Sequence, residues 1–359
     1  MTVSYLASVV VVNYNGGDTL RACIESIITQ RFSRADREVI IIDNGSRDTS
    51  LDGIRDFAGI RVIRKERNLG FAAAANLGAE VALGEHVAFI NSDARLDPSW
   101  LSKMIEEMGK AKAECATSRI DSWDGTEKQY EGGVVSFGGH CWEESFSREQ
   151  TRRWVLFPHG AAMLVRRDTF LDVGGFDPDY FAYFEDVDLG WRLNLLGHRV
   201  AIVPGAIAYH KGQGTAGKIS YAQRLLLFER NALMTIYKNY DEENLRRVLP
   251  GAILLTLSRG FARAKLRPSE YMPGGKDEMG REEIPRLATA TFLAVEEFTN
   301  RLGELDKRRR AIQDQRIVPD DEILRLFGDP FRAHEFGKTY RKVSDSAVDL
   351  FGFREVFQS

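Results

Sequence analysis

LASVVVVN, residues 6–13, is an almost unbroken apolar run dominated by valine. It lacks the inward–outward alternation of a half-solvated strand, so it reads as a strand covered on both faces of a parallel sheet. The same grammar continues outward from it. Asp18 is placed to cap a helix running through Leu20, Ile24 and Ile27. EVIIID (38–43), IRVIRK (60–65) and HVAFIN (86–91) read as further strands. SRDTSLDGIRDF (46–57) and GFAAAANLGAEVA (70–82) read as helices between them. Another helix opens at Pro98 with Asp97 as its cap. Strands alternating with helices predict an open, mostly parallel, Rossmann-like α/β sheet. Ligands of such a sheet bind beyond the carboxyl ends of its strands. The residues there are Asn13, Tyr14 and Asn15, then Asp43 and Asn44, then Asn91, Ser92 and Asp93.

A second feature bears on chemistry. Tyr183-Phe184-Glu185-Asp186-Val187-Asp188-Leu189-Gly190-Trp191-Arg192 places three carboxylates in four positions at the head of a helix whose apolar face is Val187, Trp191 and Leu195. Alone, such a cluster reads as capping and surface charge. Alongside Asp43 and Asp93 it reads as a site for a metal, a phosphate or a proton transfer.

The chain has 359 residues and is 43% hydrophobic, enough for one large domain with an appendage, or two domains. A net charge of −3 argues against nucleic acid as a partner. Three widely spaced cysteines, Cys23, Cys115 and Cys141, read as reduced thiols in a cytoplasmic protein. The first residues lack the pattern of a signal peptide, and no apolar stretch approaches the roughly 20 residues of a membrane span. Residues 113–158 read as irregular, 158–167 as a strand and 198–210 as two short strands. From about 218 the pattern is helical. The expected domains are 1–215 and 216–359, joined by the Gly-rich KGQGTAGK.

Seven segments, taken in order, resemble the family 2 inverting glycosyltransferases of the GT-A fold, bacterial rhamnosyltransferases in particular. They are VVVVNYNGGDTLRACIESI, IIIDNGSRDTS, RNLGFAAAANLGA, FINSDARLDPSWL, HGAAMLVRRDTF, GGFDPDYFAYFEDVDLGWRLNLLGHRVAIVP and YHKGQGT, and they span about 8 to 215. The resemblance implies a nucleotide-sugar donor, dTDP-rhamnose or a UDP-sugar carrying a hexosyl or galactofuranosyl group. It implies a saccharide acceptor on a cell-surface polysaccharide or a lipid carrier. It makes Asp186 the general base and gives Glu185 the donor or acceptor hydroxyls. Asp43 reads the base, or else forms a local turn with Asn44 and Ser46. Asn13 and Asn15 frame the nucleoside or diphosphate. Asn68 and Asn76 bracket the Ala-rich helix that resembles the family's nucleotide-side helix, where packing explains them equally well, and Trp191 reads as core. Asn91-Ser92-Asp93 stands at the family's D-x-D motif with its first Asp replaced, so that Asp93 and His210 are left to hold Mg²⁺ or Mn²⁺ while Asn91 or Ser92 meets the ribose. Gly160 permits close approach of a ligand, and His159 beside it lines the sugar site. Asp188 is expected to pair with Arg192.

Two rival functions are weaker. A nicotinamide oxidoreductase lacks its glycine fingerprint, because NYNGGD stands in the first turn. An inactive nucleotide-sugar binding module would not need Asp43, Asp93 and Asp186 together. The C-terminal region suggests acceptor, membrane or oligomer contacts. Within it, VLPGAILLTLSRGFARAKLR (248–267) joins an apolar half to Arg259, Arg263, Lys265 and Arg267. That composition suits peripheral contact with the inner face of a cell membrane, and a homodimer interface is the competing reading.

Overall fold

The computed structural model describes residues 5–54, 57, 59–144, 153–212, 219–265, 285–333 and 337–358. Its strands are β1 (Tyr5–Asn13), β2 (Arg37–Asp43), β3 (Ile60–Arg64), β4 (Gly84–Asn91), β5 (Ala94–Leu96), β6 (Cys115–Ser122), β7 (Lys128–Tyr130), β8 (Gly133–Val135), β9 (Cys141–Glu143), β10 (Trp154–Val155), β11 (Ala162–Arg166) and β12 (Val200–His210). The helices are α1 (Asp18–Ile28), α2 (Phe71–Val81), α3 (Trp100–Ala111), α4 (Arg167–Asp172), α5 (Glu185–Leu195), α6 (Tyr221–Asn239), α7 (Glu242–Ala264), α8 (Arg286–Asn300), α9 (Leu302–Asp314), α10 (Asp320–Leu324), α11 (Gly337–Leu350) and α12 (Phe353–Gln358). The chain forms two compact units: residues 1–134, 141–218 and 316–318, and residues 135–140, 219–315 and 319–359.

The first unit is built on a mixed sheet in the order β10-β12-β6-β11-β4-β1-β2-β3. β4, β1, β2 and β3 are mutually parallel, as are β6 and β12, while β11 runs antiparallel to both β4 and β6. The mostly parallel α/β expectation therefore holds for the main strands, with β11 antiparallel among them and the short β5, β7 and β10 antiparallel to their neighbours. Register puts the polar strand ends together: Asn13 pairs with Asp43, Val12 with Asn91, and Ile90 with Ala162.

Several local expectations are corrected. Residues 46–57 do not form a helix; the described part holds only a single 3₁₀ turn, Asp52–Ile54. Side chains there bond backbone locally, with the Ser50 N–H and hydroxyl both donating to Asp48 Oδ1, which competes with helix formation. Asp18 lies inside α1, and Gly17 is its cap. Asp97 sits two residues before the α3 cap, Ser99, and accepts from the Ser99 N–H. The stretch read as irregular contains β6, which lies between β12 and β11. Its polar Thr117 and Ser118 are fully buried because each hydroxyl has a partner: Thr117 Oγ1 accepts from the His159 N–H, and Ser118 Oγ donates to the Ala162 carbonyl. β12 is one strand with a register shift between Val203 and Ile207, around Pro204-Gly205, not two strands.

The second unit is helical. Glu229 of α6 is buried and accepts from Arg259 Nε (2.9 Å) and Arg263 Nη1 (3.1 Å) of α7 and from His140 Nε2 (3.1 Å). Burial opposes its ionisation, yet the Arg259 charge and the hydrogen bonds of His140 and Arg259 hold it well below the ordinary glutamate range. This arrangement takes two of the cations in 248–267 away from the surface on which a membrane contact would draw. Arg259 and Arg263 turn inward to Glu229, so of the four cations only Lys265 is an exposed one among the described residues. Arg267, the interrupting segment after it, and residues 213–218 of the Gly-rich linker lie outside the described residues. No helix among the described residues is long and apolar enough to cross a membrane.

Candidate active site

At the carboxyl edge of β1, β2 and β4 the first unit opens a cleft of about 140 Å³. Val12, Tyr14, Asn44, Asn68, Asn91, Ser92, Asp93 and His210 line one part of it; Gly70, Phe71 and the 181–183 segment line another. Asp93 follows β4 and His210 ends β12, and the two meet with His210 Nε2 3.3 Å from Asp93 Oδ1. Asn91 Nδ2 stands 3.5 Å from the same imidazole nitrogen.

The nucleotide-side residues divide. Asn68 lines the cleft, and its Oδ1 accepts from Asn44 Nδ2 (2.9 Å). Asn44 also donates to the Gly70 carbonyl and accepts from the Leu69 N–H, so one side chain ties the end of β2 to the entry of α2. Asn13 and Asp43 are buried behind this wall and are not among the cleft-lining residues. Asn13 Nδ2 lies 3.0 Å from Asp43 Oδ1, Ser46 Oγ and Ser50 Oγ. Asn15, in the left-handed region at φ 50°, accepts from the Arg47 N–H. Asn76 is committed to packing, since it donates to the Phe176 carbonyl and accepts from its N–H.

The acid helix is entered through an unusual backbone. Phe181, Tyr183 and Phe184 all have positive φ, between 64° and 70°. Such conformations cost of order 1–3 kcal/mol each and persist where the surroundings over-determine them. Gly70 is one reason. At φ 87° it brings its backbone so close to Phe181 that a Cβ would lie 2.5 Å from the Phe181 carbonyl oxygen, the atom to which Phe71 N–H donates. The segment leads directly into Glu185 and Asp186.

The three acids then part company. Asp188 is fully buried and accepts from Arg192 Nε (2.9 Å), as its spacing predicts, and Arg192 also donates to the carbonyls of Val173 and Gly175. Trp191 is core. Asp186 accepts from the Gly160 N–H on Oδ2 and from its neighbour Val187 N–H on Oδ1, both at 2.8 Å. Gly160 serves this contact: a Cβ there would stand 3.0 Å from Asp186 Oδ2. The next residue, Ala161, accepts from the Asn91 N–H, joining the Asp186 loop to the strand end before Asp93. Glu185 is buried, and its Oε2 has no hydrogen-bond partner among the described residues. Burial, then the charge of Asp186, pushes Glu185 up to about 8. Burial also raises Asp186, against the backbone N–H bonds from Gly160 and Val187 that favour its carboxylate. Both carboxyls of the pair are therefore biased toward the protonated form, and the charge of Asp186 adds to that bias at Glu185.

A pH prediction arises here. The fold prefers protonated Glu185, so the stability from this group is complete at pH values below that of an exposed glutamate and is lost as pH rises through about 8. Glu185→Gln removes a group that must ionise in a buried place. Its melting temperature, followed from pH 6 to pH 9 by differential scanning fluorimetry, is expected to fall less than that of the parent. Parallel curves for the two proteins would contradict the assignment.

Sequence reasoning missed Asn44 as an organiser of the cleft, although it names the residue as a strand end. It also missed Glu143, whose Oε1 receives His159 Nε2 at 3.0 Å from sixteen residues away, a distance along the chain that carries no periodic signal.

Asp93 and His210 supply a hard oxygen and an imidazole nitrogen side by side on the cleft wall, a donor set suited to Mg²⁺ or Mn²⁺. Among the described residues no group of three or more acidic, histidine or cysteine side chains is placed to hold a metal. Mg²⁺ usually keeps several waters and binds through one or two carboxylates plus phosphates, a habit that such a two-residue site suits.

Comparison with known proteins agrees with this layout. Residues 8–174 match the family model described as Glycosyl transferase family 2. The chain is 28% identical over 237 residues to the N-acetylglucosaminyl-diphospho-decaprenol L-rhamnosyltransferase of Mycobacterium tuberculosis, covering 58% of this chain and 76% of that protein. It is 28% identical over 198 residues to the O-antigen biosynthesis protein RfbC of Myxococcus xanthus, and spans 51% of this chain but only 15% of RfbC. The fold is similar to that of S. aureus TarS 1-349 in complex with UDP, with a TM-score of 0.52 and 17% identity, covering 98% of this chain and 90% of that one. Residues 8–174 of the chain belong to glycosyl transferase family 2, and the protein is a glycosyltransferase with the GT-A fold.

Proposed function

We propose that the protein is an inverting transferase that moves L-rhamnose from dTDP-rhamnose to a hydroxyl of a cell-surface polysaccharide or lipid-linked saccharide. The observation that carries the reading is the Asp93–His210 pair on the cleft wall, one short loop from a carboxylate held by Gly160. The donor assignment leans on the rhamnosyltransferase relative, and UDP-linked hexosyl or galactofuranosyl donors are its competitors.

In this reading the nucleoside diphosphate occupies the cleft, with Asn68, Asn91 and Ser92 around the nucleoside and ribose. Asn13, Asn15 and Asp43 shape the wall behind them, and Asp43 reaches the base only if its bond to Asn13 is exchanged. Asp93 and His210 hold Mg²⁺ or Mn²⁺, which when bound neutralises charge on the diphosphate. Asp186 accepts the proton of the acceptor hydroxyl as its oxygen attacks the sugar's anomeric carbon from the side opposite the diphosphate. The bond from that carbon to the diphosphate oxygen breaks, and its electron pair leaves with the nucleotide. Neutral Glu185 donates a hydrogen bond to a sugar hydroxyl.

Thermal shift across dTDP-rhamnose, UDP-glucose, UDP-N-acetylglucosamine and UDP-galactofuranose, each with and without Mn²⁺, tests the donor. The true donor at about 100 times its Kd is expected to raise the melting temperature by about 5–10 °C, and more with Mn²⁺ than without. A larger shift with a UDP-sugar would reassign the donor. No shift with any of them would remove the nucleotide-sugar reading of the cleft.

A further inference from the structure

Besides an edge-on ring contact with His210, centroids 5.9 Å apart, His159 makes four contacts that converge on the loop carrying Gly160. Its N–H donates to Thr117 Oγ1 (2.9 Å), which fixes the start of the loop on the central strand β6. Its Nδ1 stands 3.0 Å from the Ala161 nitrogen, where it accepts that N–H and closes a tight turn around Gly160. Its Nε2 donates to Glu143 Oε1 (3.0 Å). Its ring packs edge-on against buried Tyr130, with centroids 4.9 Å apart, and Tyr130 is held in turn by donating to the Phe157 carbonyl.

The two ring nitrogens have opposite tasks, and only one neutral tautomer performs both. Nδ1 must keep its lone pair to receive the Ala161 N–H, so the proton belongs on Nε2, where Glu143 receives it. The turn so closed presents the Gly160 N–H to Asp186 Oδ2. A carboxylate oriented by two backbone N–H groups offers its remaining lone pairs in fixed directions, and misplacement of a reacting group by about 1 Å can cost 10²-fold in rate.

We propose that His159, held as its Nε2–H tautomer by Glu143, is the positioning residue of the base, acting through the 159–161 turn and the Gly160 N–H on Asp186. The inference rests on Asp186 being that base.

The test uses the full-length protein with Mn²⁺ and dTDP-rhamnose, or the UDP-sugar that outperforms it in thermal shift, and follows nucleotide diphosphate release. His159→Phe keeps a buried ring but removes the acceptor. It is expected to lower kcat by about 10–100-fold with the donor KM unchanged. His159→Asn offers a short side-chain carbonyl that can receive the Ala161 N–H as an Asx turn does, and should recover most of the rate. In the Asp186→Asn background, His159→Phe should cause no further loss, because residues acting through one another are not additive. Glu143→Ala, at a side chain 56% exposed, should also lower kcat at constant donor KM. A parental rate in His159→Phe would overturn the proposal. So would equal losses in the Phe and Asn variants, or the same loss from His159→Phe with and without Asp186. Parental turnover in Asp186→Asn alone would instead remove the base assignment, a separate outcome.

Discussion

Asp186→Asn is expected to lower turnover by about 10²–10⁴-fold, the range usual for loss of a general base, while calorimetry shows donor affinity within a few-fold of the parent. The amide is nearly isosteric with the carboxylate, so the cleft wall keeps its shape. It cannot accept a proton from a hydroxyl. Both oxygens of Asp186 receive backbone N–H groups, from Gly160 and from Val187, so an amide must turn its NH₂ toward one of these donors and lose that bond too. In the proposed reading the donor sits elsewhere, in the cleft that Asn44, Asn68, Asp93 and His210 line. Turnover within a few-fold of the parent would rule Asp186 out as base.

Asp93→Ala is expected to be the second severe variant, with activity down about 10²–10³-fold, because metal stabilisation of transition-state charge amounts to several kcal/mol. The pair has only two protein donors, and removing the carboxylate leaves His210 alone. Exhaustive EDTA treatment of the parent should reproduce the loss, and Mn²⁺ should restore the parent but not the variant at equal concentration. Full activity after EDTA, or an unchanged Mn²⁺ titration in Asp93→Ala, would defeat the metal assignment.

The strands β1, β2 and β4 were legible in the sequence because they are buried on both faces. Val9–Val12, Ile40–Ile42 and Val87–Ile90 are continuous apolar runs, and their polar ends fall where strand register brings Asn13 beside Asp43 and Val12 beside Asn91. Another strand was hidden by chemistry. β6 buries Thr117 and Ser118 through hydrogen bonds to residues 159 and 162, and no pattern within 115–122 announces partners forty residues away. Residues 46–57 carry helix-like spacing, but Asp48 and Ser50 spend their polar groups on nearby backbone and on each other. In the second unit Arg259 and Arg263 look like a solvated cationic face in sequence, and become buried only because Glu229 lies opposite on another helix. At the site itself, the cluster Glu185-Asp186-Asp188 was visible, but its division of labour was not. Asp188 to Arg192 follows from helical spacing, whereas the hold of Gly160 on Asp186 and the left-handed entry through Phe181–Phe184 are tertiary facts.

The account turns on a single displacement at the anomeric carbon, with one carboxylate as base and no covalent partner on the protein. Proton NMR of the first product formed, from the donor that stabilises the protein and a saccharide acceptor, reads the configuration at that carbon directly. The account predicts that it is inverted relative to the donor from the earliest time point. Retained configuration would contradict the role given to Asp186 and, with it, the mechanism.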